Sequence, residues 1–428
     1  MIARGEVLVP GDKSITHRAL MVAALSDGRC VFTSPLAAGD TRATAAALRA
    51  LGIDVSPLSD KRVAVTGAGM KPFRAPSRPL ACRNSGTTAR LLLGLLAGHP
   101  FEAKLTGDRS LSRRPMARVT EPLRKMGAAI MAAEGERLPM AIHGGGLRPL
   151  DWTSPVASAQ VKSCVLFAGL LAAGETRVIE PEPTRDHTER MLSAAGADVS
   201  RDGDAVVVRP VERLEPGSIA VPADISSAAF FLVAALLVPG SEVSLAGVGL
   251  NPTRTGLLAI LRRMGAEIEV EVEGERGGEP IGRVHARPSP LHGVEVGGAE
   301  VPLAIDELPL VALAACFAEG TTTIRDAAEL RRKESDRIAT VTAALTALGG
   351  DVEATEDGMV INGTEGLRGG MIDSHGDHRI AMLGAVAGLA SRGGVEVANM
   401  EAAAVSYPGF EADLASLVGP DRGPGAAH

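Results

Sequence analysis

Residues 21–32 read MVAALSDGRCVF and residues 47–55 read ALRALGIDV. Each is an apolar helical stretch that meets a glycine and runs on into an alternating, strand-like segment. Glycine there suits the left-handed residue that closes a helix before the chain turns into a strand. Both patterns recur. ALRALGIDV is echoed by PLRKMGAAI, MLSAAGADV, LRRMGAEIEV, LTALGGDVE and, weakly, LASLVGP, with glycines at Gly52, Gly127, Gly196, Gly265, Gly349 and Gly419. MVAALSDGRCVF is echoed by LLGLLAGHPFEAKL, LFAGLLAAGETRVI, LVAALLVPGSEVSL, LAACFAEGTTTI and GAVAGLASRGGVEV, with glycines at Gly28, Gly98, Gly174, Gly240, Gly320 and Gly394. Each glycine of the second series lies 22 to 29 residues before its partner in the first. One series could arise by chance from Ala/Leu-rich helices; two in phase define a repeat of six units, each with two helices that end in glycine and lead into strands. Solenoid repeats run to about 20–50 residues, shorter than the spacing of about 70 here. A chain of 428 residues exceeds one core and suits two domains. The expectation is an α/β protein with three units per domain and helices packed under sheets.

Composition limits the partners. A net charge of -7 and a pI near 5.8 oppose a nucleic-acid partner, and 2% aromatics leave little on which bases could stack. The stretch from Ala228 to Val238 is apolar but too short to span a bilayer, and it reads as a buried helix. The N-terminus, MIARGEVLVPGDKS, lacks the apolar core of a signal peptide. A cytoplasmic monomer is expected, with neither membrane nor nucleic acid as partner. Cys30, Cys82, Cys164 and Cys316 form no CxxC pair, so they read as reduced structural thiols.

Polar residues cluster just before the first helix of each unit: PGDKSITHR (10–18), RNSGTTAR (83–90), SPVASAQVKS (154–163), PADISSAA (222–229), AIDELP (304–309) and SHGDHRIAM (374–382). Most carry Ser, Thr, Asn or Asp where a helix wants its N-cap. Helix N-termini offer free N–H groups and partial positive charge, which favour phosphate and carboxylate. Further charged loops join the helices within units: GDRSLSRRPM (107–116), PTRDHTER (183–190), NPTRTG (251–256) and ELRRKESDR (329–337). Several such loops with Lys or Arg point to a shared site for small anions. Gly11-Asp12-Lys13-Ser14 ends like a phosphate-binding P-loop but lacks the upstream glycine. His375 and His378, near Asp373 and Asp377, fit no strong metal signature, and no metal is expected. His17 reads as a polar packing residue.

RNSGTTAR and RRKESDR resemble signature motifs of the 5-enolpyruvylshikimate-3-phosphate synthase family. PGDKSITHRAL, SLSRRPM, SAQVKS, IDELP and HGDHRIAM follow in the family's order, so the resemblance spans essentially the whole chain. It implies two domains, each of three βαβαββ units in pseudo-threefold arrangement, with helix N-termini facing an interdomain cleft. By resemblance the first, discontinuous domain comprises 1–11 and 224–428, and the second 12–223. The family transfers the enolpyruvyl group of phosphoenolpyruvate to the 5-hydroxyl of shikimate-3-phosphate and releases phosphate, without a cofactor, in the pathway targeted by glyphosate. Carried onto this chain, shikimate-3-phosphate would meet Lys13, Ser14, Arg18, Ser158, Ala159, Gln160, Arg185, Asp306 and Lys333. Phosphoenolpyruvate would meet Lys13, Asn84, Gly86, Thr87, Arg114, Gln160, Arg337 and Arg379. Asp306, Glu334 and Lys13 would supply base, carbon acid and leaving-group cation. Planar guanidinium groups suit a doubly charged phosphate and a carboxylate. If helical, Glu334 and Arg337 would share a face at a spacing of three.

The chain departs from the pattern at Val405, before Ser406-Tyr407-Pro408, where some members carry Lys; its SAQVKS, TRDHTER and NPTRTG resemble the branch that includes glyphosate-tolerant members, which often have Ala in place of Gly86. The nearest rival is the sister enolpyruvyl transferase acting on UDP-N-acetylglucosamine. That family usually has a mobile-loop Cys, which residues 107–116 lack. A non-catalytic phosphometabolite-binding protein would not require Asp306, Glu334 and Lys13 together.

Overall fold

The repeat is clearest between Leu80 and His143 in the computed structural model, which describes residues 2–364 and 366–419. The short strand Leu80–Ala81 leads through the helix Gly86–Leu96 to the strand Glu102–Thr106. The helix Ala117–Met126 and the strands Ala129–Ala133 and Arg137–His143 complete the unit. The first two strands pair in parallel, with Leu80 beside Leu105; the last strand enters between the second and third, antiparallel to both. Residues 151–208 and 295–362 repeat this βαβαββ order and the same sheet topology.

The other units are completed by segments distant in sequence. Ile219–Ala220 supplies the parallel edge strand beside Asp27–Thr33, whose other neighbour is Arg62–Ala68. Ile2–Val7 pairs in parallel with Glu242–Gly249 and antiparallel with Val418–Gly419. The last unit therefore lends its final strand to another sheet and keeps only the parallel pair Gly370–Asp373 and Val395–Ala398. That loan explains why LASLVGP is the faintest echo of the repeat.

The chain forms two compact units. A terminal unit gathers Met1–Pro10, Pro222–Gly274 and Pro280–His428; an inserted unit gathers Gly11–Val221 and Glu275–Glu279. The boundaries expected from the sequence, 11/12 and 223/224, did not anticipate that the short segment Glu275–Glu279 joins the inserted unit. Each unit has its own hydrophobic core. In the terminal unit the helix Ile225–Leu237 is buried at every residue through Leu236, as a helix apolar on all sides requires. No described helix is long and apolar enough to cross a membrane.

The first glycine series behaves as the repeat demands at five of its six positions, whereas Gly419 lies in the strand Val418–Gly419. Gly52, Gly127, Gly196, Gly265 and Gly349 take φ of 91°, 111°, 88°, 99° and 93°. In the second series Gly28, Gly240, Gly320 and Gly394 are also left-handed, but Gly98 and Gly174 are not. Space dictates Gly98 instead: a Cβ there would lie 2.6 Å from the Leu171 side chain. All four cysteines are free and buried, and burial pushes the thiol pKa values of Cys82, Cys164 and Cys316 up to about 12. Those three are far from the thiolate state that reactivity needs.

Candidate active site

The polar segments do stand at helix starts, and several cap them. Asp12 accepts a hydrogen bond from the Ile15 N–H at 2.8 Å, Ser85 from Thr88 at 3.1 Å, Asp224 from Ser226 at 2.9 Å and Asp377 from Arg379 at 3.0 Å. Ser158 and Glu307 precede helices without a side-chain cap bond. Where the caps hold, the loop geometry is fixed by the backbone, so neighbouring side chains are presented from a rigid base.

In the inserted unit two clusters form. Lys13 pairs with Asp40 at 3.3 Å. Arg18 is buried; its Nη2 donates to Ser163 Oγ at 2.8 Å, its Nε to Thr188 Oγ1 at 2.7 Å and its Nη1 to the Ser14 carbonyl at 3.1 Å. The second cluster surrounds Gly86. Arg114 donates to Asn84 Oδ1 at 2.7 Å, and Asn84 donates in turn to Asp108 at 2.8 Å. Arg90 donates to the Gln160 carbonyl, which aims the Gln160 amide at Thr87 Oγ1, 3.0 Å away. A Cβ on Gly86 would stand 3.0 Å from Arg90 Nη1 and 3.4 Å from Arg114 Nη1. The clusters are joined by a buried chain: His17 Nδ1 to Thr44 Oγ1, Thr44 to Thr88 Oγ1, and Thr88 to Ser85 Oγ, each 2.7 Å. Burial first, then Lys13 and Arg18, holds His17 well below the ordinary histidine pKa, so it remains neutral and serves this chain. Arg185 and Ser158 are half-buried in the same unit.

In the terminal unit five expected residues converge. Asp306 meets Lys333 Nζ at 3.1 Å, Arg337 Nη1 at 3.2 Å and Arg379 Nη2 at 3.8 Å. Arg337 is fully buried and also donates to Glu334 at 2.7 Å and to Asp377 at 2.8 Å. Burial alone would lower its pKa, but Asp377, Glu334 and Asp306 outweigh burial and drive it up. For Asp377 burial likewise opposes ionisation, yet Arg337 prevails and holds its pKa below the usual value. These groups form one interlocked charge network in a site of restricted water access. No group of three or more His, Cys, Asp or Glu that could hold a metal occurs among the described residues.

A model of the EPSP synthase (3-phosphoshikimate 1-carboxyvinyltransferase) family matches residues 3–414. The chain belongs to the EPSP synthase family. A relative named 3-phosphoshikimate 1-carboxyvinyltransferase, from Geobacillus thermodenitrificans, is 52% identical over 418 residues, covering 97% of this chain and 96% of its own. A relative of the same name from Gloeobacter violaceus is 53% identical over 415 residues, 96% of each. The solved EPSP synthase of Acinetobacter baumannii superposes with a TM-score of 0.86 at 45% identity, covering 97% of this chain and 96% of that one. The enolpyruvyl transferase NikO of Streptomyces tendae shares the fold, with a TM-score of 0.77 at 18% identity over 97% and 95% of the chains.

Set against this EPSP synthase framework, one local expectation is corrected. Glu334 and Arg337 do not share a helix. A 3-10 turn ends at Arg332, Asp336 caps the next helix, and Arg337 is its first residue. The pair nevertheless meets, because the bend between them turns Glu334 back onto the guanidinium. Arg90 of the inserted unit's cluster and Arg254 and Glu307 of the terminal unit were not singled out, and Asp377 was noted only as a neighbour of a weak metal candidate. Glu307 is buried, accepts from Ser226 and lies 3.4 Å from Arg379 Nη1, while Arg254 donates to Ser226 and stands 3.3 Å from Asp224. Each lies inside a recognised segment (RNSGTTAR, NPTRTG, IDELP, HGDHRIAM), so the segments carried the signal. At the chain's end Val405 closes a 3-10 helix, and Tyr407 is buried against Phe231 and Phe410.

Proposed function

We propose that the chain transfers the enolpyruvyl group of phosphoenolpyruvate to the 5-hydroxyl of shikimate-3-phosphate, with release of phosphate. The observation that carries this reading is the convergence of Lys333, Arg337 and Arg379 on Asp306, with Glu334 on the same Arg337. In the addition step the hydroxyl oxygen bonds to the central carbon of phosphoenolpyruvate, its proton passes to Asp306, and the methylene carbon takes a proton from Glu334. Elimination then breaks the bond from that carbon to the phosphate oxygen, and Glu334 recovers a proton from the methyl group as the double bond reforms. Lys13 balances charge on the departing phosphate, which leaves with the proton that Asp306 took from the hydroxyl, so that both carboxylates return to their starting state.

The Glu334–Arg337 pair gives this scheme a trigger. A carboxylate held at 2.7 Å by a guanidinium is kept ionised and has no proton to give. An incoming phosphoenolpyruvate carboxylate that competes for Arg337 would release Glu334 to take up the proton it must donate. Lys13, Ser14, Arg18, Ser158, Ala159, Gln160 and Arg185 suit the shikimate-3-phosphate side, joined by Asp306 and Lys333. Asn84, Gly86, Thr87 and Arg114 suit phosphoenolpyruvate, with Lys13, Gln160, Arg337 and Arg379. The reading keeps the expected domains, 1–11 with 224–428 and 12–223, and a cytoplasmic monomer.

Phosphate release with phosphoenolpyruvate and either acceptor tests the reading. Release with shikimate-3-phosphate and none with UDP-N-acetylglucosamine is expected. The reverse pattern would select the sister reaction. Binding without release would select a non-catalytic protein.

A further inference from the structure

The segment Glu275–Glu279 is the tip of a hairpin whose strands, Ile268–Arg276 and Glu279–Ala286, belong to the sheet of the terminal unit. The tip itself joins the inserted unit. There Glu279 and His187 are both buried, with Glu279 Oε1 and His187 Nδ1 2.7 Å apart. Arg190 donates to the Gly278 carbonyl at 3.2 Å, and its Nε holds Asp186 at 2.9 Å. Gly277 sits so close to Ile219 that an added Cβ would come within 2.8 Å of it. The tip thus clamps the start of the helix His187–Ala194.

The residues just before that helix are held from another side. Lys162, itself buried, donates to the Thr184 carbonyl at 3.2 Å and pairs with Glu180 and Glu189, each at 2.8 Å. Arg185 therefore lies between two anchored neighbours, Thr184 and Asp186. A buried carboxylate and imidazole are a costly choice for mere packing, which makes their location beside Arg185 informative.

We propose that Glu279 is a positioning residue for shikimate-3-phosphate: through His187 it fixes the turn that presents Arg185 to the substrate's phosphate. This rests on the reading of Arg185 given above. A contact with a phosphate that takes no part in bond making is the same in ground and transition states. Its loss raises KM without lowering kcat.

Steady-state kinetics on the full chain, normalised to titrated active sites, test the proposal. Glu279→Ala is expected to raise the KM for shikimate-3-phosphate about tenfold or more, with kcat within about threefold and the KM for phosphoenolpyruvate unchanged. Glu279→Gln, whose amide oxygen can still accept from His187, is expected to restore the wild-type value. A purely structural role would instead lower the melting temperature and leave both KM values alone. His187→Gln is the milder second variant should Glu279→Ala fail to fold, and the same split is expected from it. Unchanged KM for shikimate-3-phosphate in these variants, while Arg185→Ala raises it, would overturn the proposal alone. Unchanged KM in Arg185→Ala would overturn the site reading and the proposal with it.

Discussion

Asp306 and Glu334 carry the chemistry of the account, and their surroundings separate their roles. Asp306 faces three cations, which keep it in the ionised form that a base must have before it accepts a proton. Glu334 is held by Arg337 at 2.7 Å, a contact for which a substrate carboxylate can compete. Glu334→Gln is expected to lose about a hundred- to ten-thousand-fold in turnover while calorimetry still finds shikimate-3-phosphate bound. Asp306→Asn is expected to lose turnover similarly and to bind more weakly. Near-normal single-turnover rates in both would remove them from the mechanism. Gly86 makes a different prediction, because a methyl there presses on Arg90 and Arg114. Gly86→Ala should raise the glyphosate inhibition constant about tenfold or more relative to the KM for phosphoenolpyruvate, since the inhibitor is longer. An unchanged ratio would count against the placing of this loop. His17 adds a pH signature. Its folded-state pKa lies below 6.5, so below that pH the unfolded chain takes a proton that the native one refuses. Stability from this site is complete above 6.5 and falls as pH drops toward the lower folded value, by about 1.4 kcal/mol per pH unit at most. Urea unfolding between pH 7.5 and 5 should show that slope in the wild type and lose it in His17→Gln.

At the scale of the element, the sequence was most legible where one local rule acts. A helix that must stop and turn into a strand needs a left-handed residue, and Gly127, at φ 111° directly after Met126, meets that need. Only the Gly146 carbonyl, 3.8 Å away, comes within reach of a Cβ there, so the cost of a side chain is almost all backbone strain. Gly127→Ala should destabilise by about 1–3 kcal/mol and Gly127→Asn by less, because Asn tolerates this region better. Equal losses in denaturant titrations would mean that packing, not φ, selects glycine. Legibility failed where two elements meet. Gly98 reads like a helix-closing glycine, yet it is chosen by the nearness of Leu171, a residue distant in sequence. Glu334 and Arg337 read as a helical pair, whereas a cap at Asp336 starts the helix after Glu334. The buried partners Glu307 and Arg254 were hidden for the same reason: a charge inside a motif does not announce which other motif neutralises it.

At the scale of the whole molecule, two interleaved glycine series sufficed to count six units, and the resemblance in the helix-start loops proposes the residues of the site. The tertiary exchanges were not legible. Val418–Gly419 pairs with the N-terminal strand, Ile219–Ala220 completes a sheet begun at Asp27, and Glu279 crosses to reach His187. Strand pairing between distant segments leaves no periodic trace in either segment alone. The central claim is that this scaffold moves the three-carbon enolpyruvyl group and leaves the acceptor's own phosphate in place. Phosphorus NMR of a mixture of enzyme, phosphoenolpyruvate and shikimate-3-phosphate tests it most directly. The account predicts that the phosphoenolpyruvate signal falls, inorganic phosphate rises by an equal amount, and the signal of the acceptor's 3-phosphate persists with a changed shift. Inorganic phosphate drawn from shikimate-3-phosphate, or released from phosphoenolpyruvate at the same rate without the acceptor, would contradict it.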